Sequence, residues 1–180
     1  MTTFVATLAL AFSAPSDDID WRTKGVVCPV RDPGPAGLQN WADATAVASA
    51  CALANKGALN CSATVKGTPS CEVESWKNVP ASQLKDALAQ GPVPALMEAA
   101  ACLQEYAGGI ETAATCPAGC GAKTRINHGM LLVGFSAKDN SLIAQNDWGN
   151  NWGERGYVRF KLDDDVCGIA DFLKVPVLKA

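Results

Sequence analysis

The chain has 180 residues, of which 48% are hydrophobic and 18% charged, and its formal net charge is -3 with a single histidine. A chain of this length and composition can bury a substantial core, so we predict one globular domain. The lysines and arginines are scattered singly along the sequence, which disfavours the broad basic surface that nucleic-acid-binding proteins use.

Residues 1–18 form a separate N-terminal segment. Thr3 to Ala14 are largely apolar and end in small residues before Pro15, which is typical of a signal peptide, although no lysine or arginine precedes them. An ordered N-terminal strand is the alternative. The run is shorter than the ~20 apolar residues that a membrane-spanning helix needs, so no membrane span is predicted. No repeat or linker divides residues 19–180, which we assign to one domain.

The first half of that domain is predicted to be mainly helical. Residues 20–30 indicate a turn followed by a short extended run, and residues 32–37 are dense in proline and glycine, which predicts a loop. Residues 39–56 contain neither glycine nor proline and carry alanines at helical spacing, which predicts a long helix with a small-sided buried face. Residues 59–79 show no sustained period and predict an irregular excursion stapled by disulfides.

The second half is predicted to be mainly strands. A short helix is predicted at residues 82–90, before Gly91-Pro92. Four later segments are apolar or alternate between apolar and polar residues, which predicts strands at 93–97, 130–135, 142–145 and 157–162. Helices that come early and strands that come late are the pattern of an α+β fold with segregated halves.

The eight cysteines are more than a reduced cytosolic protein of this size usually carries. They indicate disulfides and a secreted or organelle-lumen location. A glycosylation sequon at Asn60-Cys61-Ser62 agrees with that location. The connectivity stays open at this point, and the positions are 28, 51, 61, 71, 102, 116, 120 and 167.

His128 and Asn146 are the candidate functional pair. His128 stands at the start of one predicted strand, and Asn146 follows the next strand after a tight turn. Two strands joined in this way bring these ends side by side. An asparagine oxygen can then orient the imidazole and Trp148 can shield the bond from water, as in a Cys-His-Asn catalytic device. A lone histidine is more often structural, so it is the second segment that favours the catalytic interpretation.

Several motifs resemble the papain family of cysteine peptidases, the cathepsin-like group. Asn127-His128-Gly129, the run Gln145-Asn146-Asp147-Trp148-Gly149-x-x-Trp152-Gly153-Glu154-x-Gly156-Tyr157 and Val166-Cys167-Gly168-Ile169 resemble its C-terminal half. Residues 20–30, 90–93 and 106–110 resemble its start and centre. The resemblance implies a papain-like α+β fold, with a helical half around a long central helix and an antiparallel, barrel-like half. The helical half is expected to be shortened, because residues 59–79 are too few to contain the family's segment there.

The resemblance fails where the family carries its nucleophile. Counting without a gap from Pro29-Val30 puts Gln39 at the nucleophile position, whereas anchoring on Trp41 puts Asn40 there. Neither side chain can attack, because the amide nitrogen lone pair is delocalised into the carbonyl. Pro33 stands where active members have the oxyanion glutamine, and proline supplies neither a side-chain donor nor a backbone N–H.

The resemblance also bears on the cysteines. Ala36 replaces the cysteine of the turn before the nucleophile, so that family disulfide cannot form. Cys167 resembles a family cysteine whose partner lies shortly before the histidine, and Cys116 or Cys120 would serve. Cys61 and Cys71 are the disulfide candidates of the irregular excursion.

We therefore predict a catalytically inactive papain-like homologue that binds protein partners as a subunit of a larger assembly, without cofactor, metal ion or nucleic acid. One alternative is residual hydrolysis in which His128 activates water. Another is a zinc module formed by Cys116, Cys120 and His128. The residues of the remnant site are His128, Asn146, Trp148, Asn40, Gln39, Trp41 and Pro33.

Overall fold

A long helix packed against a mostly antiparallel sheet organises the chain. The structure is a computed structural model and describes residues 18–30, 38–55, 59, 61, 71–116 and 126–179. The helices are α1 (Leu38–Asn55), α2 (Leu84–Gln90) and α3 (Ala101–Gln104). The strands are β1 (Ile19–Asp20), β2 (Val73–Val79), β3 (Val93–Met97), β4 (Ile110–Glu111), β5 (His128–Ser136), β6 (Ser141–Gln145), β7 (Tyr157–Lys161) and β8 (Phe172–Leu178).

The sheet places β5 near its centre. The strand order is β2-β8-β3-β5-β6-β7-β4, and β1 adds to β5. All pairings are antiparallel except that of β4 with β7. Helices early and strands late, as predicted, therefore give the segregated α+β architecture.

Strand β5 is buried on both faces, which explains its continuous apolar sequence. Side chains alternate across a strand, and here the alternation serves two clusters. Leu131 and Val133 pack with Ala42 and Ala46 of α1. Met130 and Leu132 instead join the main core with residues of β3, β6 and β7. The small side chains of α1 let the helix approach the sheet closely at the point where β5 crosses it.

The predicted elements are confirmed where the pattern is local. Helix α1 agrees with the prediction to within one residue at each end, and α2, β3, β5, β6 and β7 fall in the predicted segments. The prediction of an irregular run over 59–79 is wrong for its last part, since residues 73–79 form β2. This strand pairs with β8, which the sequence did not indicate. Residues 21–24 form a turn of 3-10 helix capped by the Asp20 side chain.

Three disulfides join described residues: Cys28–Cys61, Cys51–Cys71 and Cys102–Cys116. Cys61 and Cys71, both predicted candidates, are confirmed in disulfides. Their partners and Cys102 were not among the candidates.

Cys116 is confirmed in a disulfide, but of the two partners left open for Cys167 it is not the one, because it pairs with Cys102 of α3. The short helix α3, which the sequence did not indicate, carries Cys102 to within bonding distance of Cys116. Cys167 is itself disulfide-bonded. Cys120 lies outside the described residues.

None of the described helices is both long enough and apolar enough to cross a bilayer. The disulfides suit an oxidising compartment. The apolar run from Thr3 to Ala14 lies outside the described residues.

Candidate functional site

The structure brings His128 and Asn146 together as a hydrogen-bonded pair. His128 opens β5 and Asn146 follows β6, so the antiparallel pairing of these strands sets the two residues side by side. The His128 Nε2 lies 2.8 Å from Asn146 Oδ1. His128 is 4% exposed and Asn146 is fully buried. The geometry predicted from the two strand ends is therefore present.

The backbone fixes the orientation of Asn146. Its N–H donates to the Gly156 carbonyl over 2.9 Å. Its Oδ1 also accepts the Asp147 N–H at 2.9 Å. Because an oxygen that already accepts from the backbone must accept from His128 as well, the imidazole carries its proton on Nε2. The lone pair of the neutral ring then lies on Nδ1, the nitrogen that a general base would use.

Burial controls the protonation of this imidazole. Desolvation lowers the pKa of His128 below its ordinary value of 6.5, and the hydrogen bond that His128 donates to Asn146 opposes this shift in part. The ring is therefore neutral at neutral pH. A neutral, oriented imidazole is chemically able to accept a proton from a neighbouring group.

Three aromatic side chains continue from the pair into the core. The Trp148 ring lies against His128, with centroids 4.9 Å apart and a tilt of 38°. Trp152 meets Trp148 edge to face at 5.1 Å and also contacts Tyr106. The Trp152 indole donates to the Leu103 carbonyl at 2.9 Å. Trp148 thus covers the imidazole as predicted, and Trp152 anchors it to α3.

Two polar side chains hold the segment that leads towards the nucleophile region. Gln145 is fully buried, and its amide donates to the Cys28 carbonyl at 2.6 Å. Ser49 of α1 donates to the Val26 carbonyl at 2.5 Å. Neither role was predicted from the sequence. For Gln145 the only signal was its place in the motif immediately before Asn146.

The remaining predicted site residues are placed only in part. Gln39, Asn40 and Trp41 lie in the first turns of α1, where the backbone is described and the side chains are not. Pro33 falls in the segment 31–37, outside the described residues. The structure therefore brings together His128, Asn146 and Trp148, whereas the side-chain positions of the remaining predicted site residues stay predictions.

The zinc alternative is not supported by the described residues. Cys116 is bonded to Cys102, and a sulfur in a disulfide cannot serve as a thiolate ligand. His128 already uses Nε2 in its bond with Asn146. In the part of the chain that the structure describes, no group of three or more histidine, cysteine or acidic residues could hold a metal ion.

Comparison with known families decides the ancestry of this site. The family model described as papain family cysteine protease matches residues 51–177, more than half of the chain. The chain belongs to the papain family of cysteine proteases. Zingipain-2 from Zingiber officinale is 28% identical over 222 aligned positions that cover 91% of this chain and 97% of the relative. Because these positions outnumber the 180 residues of this chain, the alignment contains gaps in it, as expected for a shortened member.

A second relative and two solved structures agree. A cathepsin L-like proteinase from Phaedon cochleariae is 28% identical, over 94% of this chain and 68% of its own length. Bromelain from Ananas comosus, solved in complex with the E64 inhibitor, superposes with a TM-score of 0.70 at 23% identity, covering 91% of this chain and 99% of bromelain. Procathepsin L 3 from Tenebrio molitor gives a TM-score of 0.75 at 24% identity, covering 95% and 72%. The papain-like α+β fold is confirmed.

The lowered pKa of His128 predicts a pH dependence of stability. Because the unfolded chain binds this proton more readily than the folded protein does, the contribution is complete above pH 6.5 and is lost as the pH falls below it. We expect the free energy of unfolding in urea to fall more between about pH 7.5 and about pH 5 for the natural protein than for His128→Gln. Glutamine keeps an N–H donor for Asn146 without a titratable group. Equal losses in the two proteins would contradict the prediction.

Proposed function

We propose that this protein is a catalytically inactive papain-family homologue that acts as a binding or structural subunit in a larger assembly. The observation that carries the proposal is a retained base without a nucleophile. The His128–Asn146 pair is intact, whereas residues 34–44 contain no cysteine, serine or threonine. An asparagine or glutamine amide at position 40 or 39 cannot form an acyl-enzyme.

The surroundings of α1 support this proposal. Thr45 is the first residue of the helix with a hydroxyl group, and it is completely buried, out of reach of a substrate. The match to the family model begins only at Cys51, so the segment in which active members carry their nucleophile lies outside it. This is the part of the chain where Pro33 and Ala36 also depart from the family pattern.

The state of the thiols gives further support. Every cysteine within the described ranges is disulfide-bonded, so none of them offers a thiolate to His128. The same disulfides suit an oxidising compartment, and the proposal includes secretion or an organelle lumen as the location.

A residual hydrolase is the second candidate, and the neutral, oriented imidazole is the observation that favours it. In this mechanism His128 would accept a proton from water through Nδ1 while water attacks the substrate carbonyl. It lacks a covalent route, and Pro33 offers no donor to the oxyanion. Each missing group raises the barrier of the reaction, so we place this candidate second.

An activity-based experiment tests the proposal. The protein is incubated with an epoxide or vinyl-sulfone probe for cysteine peptidases and, separately, with a panel of fluorogenic peptides, next to an active papain-family enzyme as the positive control. We expect neither covalent labelling nor turnover. Probe labelling at any cysteine close to His128, or turnover that His128→Ala abolishes, would overturn the proposal, and turnover without labelling would favour the residual hydrolase.

The assembly is tested separately. When it is isolated from its natural source without denaturant, the protein is expected to be larger than a single chain in size-exclusion chromatography with light scattering. A structure of that species would show what occupies the remnant cleft. Recovery as a monomer would overturn the proposed assembly and would leave the loss of catalysis to stand on the probe experiment.

A further inference from the structure

The side chains of Cys102, Cys116 and Cys167 form a cluster. Cys116 is bonded to Cys102 of α3. Its Sγ also lies 3.9 Å from the Sγ of Cys167, which belongs to another disulfide. Cys116 and Cys167 are 3% and 2% exposed, whereas Cys102 is only partly buried. The sulfur of Cys116 is therefore in van der Waals contact with a second potential partner.

The backbone keeps Cys167 at this place independently of its disulfide. Its φ of 60° is one that residues other than glycine rarely adopt, so the surroundings must hold it there. The Cys167 carbonyl accepts the Glu98 N–H at 3.1 Å, which ties it to the end of β3. The Gly168 N–H donates to the Asp165 carbonyl at 3.1 Å. A thiol at Cys167 would thus remain beside Cys116 once its own disulfide had been opened.

We propose that Cys116 exchanges partners, so that reduction of the disulfide at Cys167 converts the Cys102–Cys116 disulfide into a Cys116–Cys167 disulfide. In the first step a dithiol reductant supplies two electrons, becomes a disulfide itself, and leaves Cys167 and its former partner as thiols. In the second step the Cys167 thiolate attacks the Cys116 sulfur. The bond to Cys102 breaks, and Cys102 leaves as a thiolate that takes up the proton lost by Cys167.

Solvation sets the direction of the second step. A thiolate is stabilised by water and destabilised by an apolar environment. Cys102 is the most exposed of the three cysteines, so a thiolate at Cys102 has a lower free energy than a thiolate at Cys116 would have. The second step is an exchange in which one disulfide replaces another, and it needs no further reductant.

The exchange changes what supports the aromatic residues of the site. In the original state, the disulfide ties α3 to the turn that ends at Cys116. The neighbouring Leu103 carbonyl accepts a hydrogen bond from the Trp152 indole N–H, and Trp152 supports Trp148 against His128. After exchange, α3 keeps these contacts without its covalent tether. Reduction would thereby loosen the aromatic side chains that support His128, whether or not the site is catalytic.

Disulfide mapping tests the exchange on the full chain. The protein is equilibrated in dithiothreitol buffers of increasing reducing strength, quenched with acid, alkylated and digested. Trypsin leaves Cys102 and Cys116 on one peptide, so a protease that cleaves after Glu105 and Glu111 is added. Cys116 and Cys120 still share a peptide, so fragment ions that break the chain between them identify which of the two is linked. We expect a population in which Cys116 is linked to Cys167 and Cys102 is alkylated. The proposal would be overturned if Cys167 were alkylated while the Cys102–Cys116 link stayed intact, or if a Cys102–Cys167 link formed. Reduction of Cys102, Cys116 and Cys167 together, without a Cys116–Cys167 link at any reducing strength, would overturn it as well.

Two variants sharpen the experiment. In Cys102→Ser the Cys116 thiolate can attack the Cys167 sulfur and release the former partner of Cys167 as a thiol, so we expect the Cys116–Cys167 link without added reductant. Its absence in folded protein would overturn the proposal, and if this variant does not fold, the mapping of the natural protein decides alone. The paired change Cys51→Ser with Cys71→Ser removes a disulfide elsewhere and is the matched control, in which the exchange is expected to persist.

Discussion

A cysteine introduced at position 40 or 39 is expected to leave the protein at least about 100-fold below an active papain-family enzyme in kcat/KM. The change restores an atom able to attack, and the His128–Asn146 pair is already oriented to activate it. It is not expected to restore stabilisation of the developing oxyanion, because Pro33, at the position predicted for the oxyanion donor, has neither a side-chain donor nor an N–H. Removal of one such donor from an active enzyme costs about 100- to 1000-fold in kcat.

The shortened helical half adds to this deficit. Transition-state stabilisation depends on a substrate that is held in place along the cleft. The alignment with zingipain-2 contains gaps in this chain, and the family segment that is expected to form part of the substrate wall has no room in residues 59–79. Poor positioning should raise KM as well as lower kcat in the single variants.

A small set of variants separates these causes. Asn40→Cys and Gln39→Cys are assayed with the peptide panel, and Asn40→Cys combined with His128→Ala reports background. Asn40→Cys with Pro33→Gln adds the missing donor and should raise turnover about 100-fold over the single variant if position 33 faces the oxyanion. Mapping of the native disulfides in each variant is the control for misfolding. Activity of either single variant within tenfold of the active enzyme would contradict the expected result.

The sequence predicted those helices and strands that have a regular pattern within a short stretch of residues. Helix α1 has an unbroken alanine-rich period over its own 18 residues, and β5 and β6 are apolar runs joined by a tight turn. Strand β2 carries no such signal, because five of its seven residues are exposed and it is held by hydrogen bonds to β8, about 100 residues later. The pairing that forms it is a tertiary event, which local patterns do not encode.

The site divides in the same way. His128, Asn146 and Trp148 were predicted because a specific motif stands on two adjacent strands, and the structure brings them together. The bond from Gln145 to the Cys28 carbonyl spans 117 positions and joins a side chain to a backbone group, so no spacing rule could have indicated it. Disulfide pairing was open for a related reason, since eight cysteines allow 105 connectivities.

Substitution of Gly156 by alanine is expected to destabilise the protein and to displace the backbone that holds Asn146. The Gly156 carbonyl receives the Asn146 N–H, so this residue sets the position of the asparagine that orients His128. Its φ is +87°, and a Cβ atom there would overlap both methyl groups of Val30. An alanine must therefore bear backbone strain of about 1–3 kcal/mol and displace a neighbour in a packed region, which costs about a further 1–3 kcal/mol.

Gly109→Ala is the matched control for Gly156→Ala. Gly109 has a similar φ of +95°, but an added Cβ meets nothing within 4 Å, so this variant bears the backbone strain alone. Urea unfolding should give Gly156→Ala a loss of stability that exceeds the loss for Gly109→Ala by about 1–3 kcal/mol. The Asn146 N–H should also exchange faster with solvent in Gly156→Ala only, because its acceptor is displaced. Equal losses in the two variants would mean that Val30 yields freely, and that the segment before α1 is not packed tightly against the loop that carries Asn146.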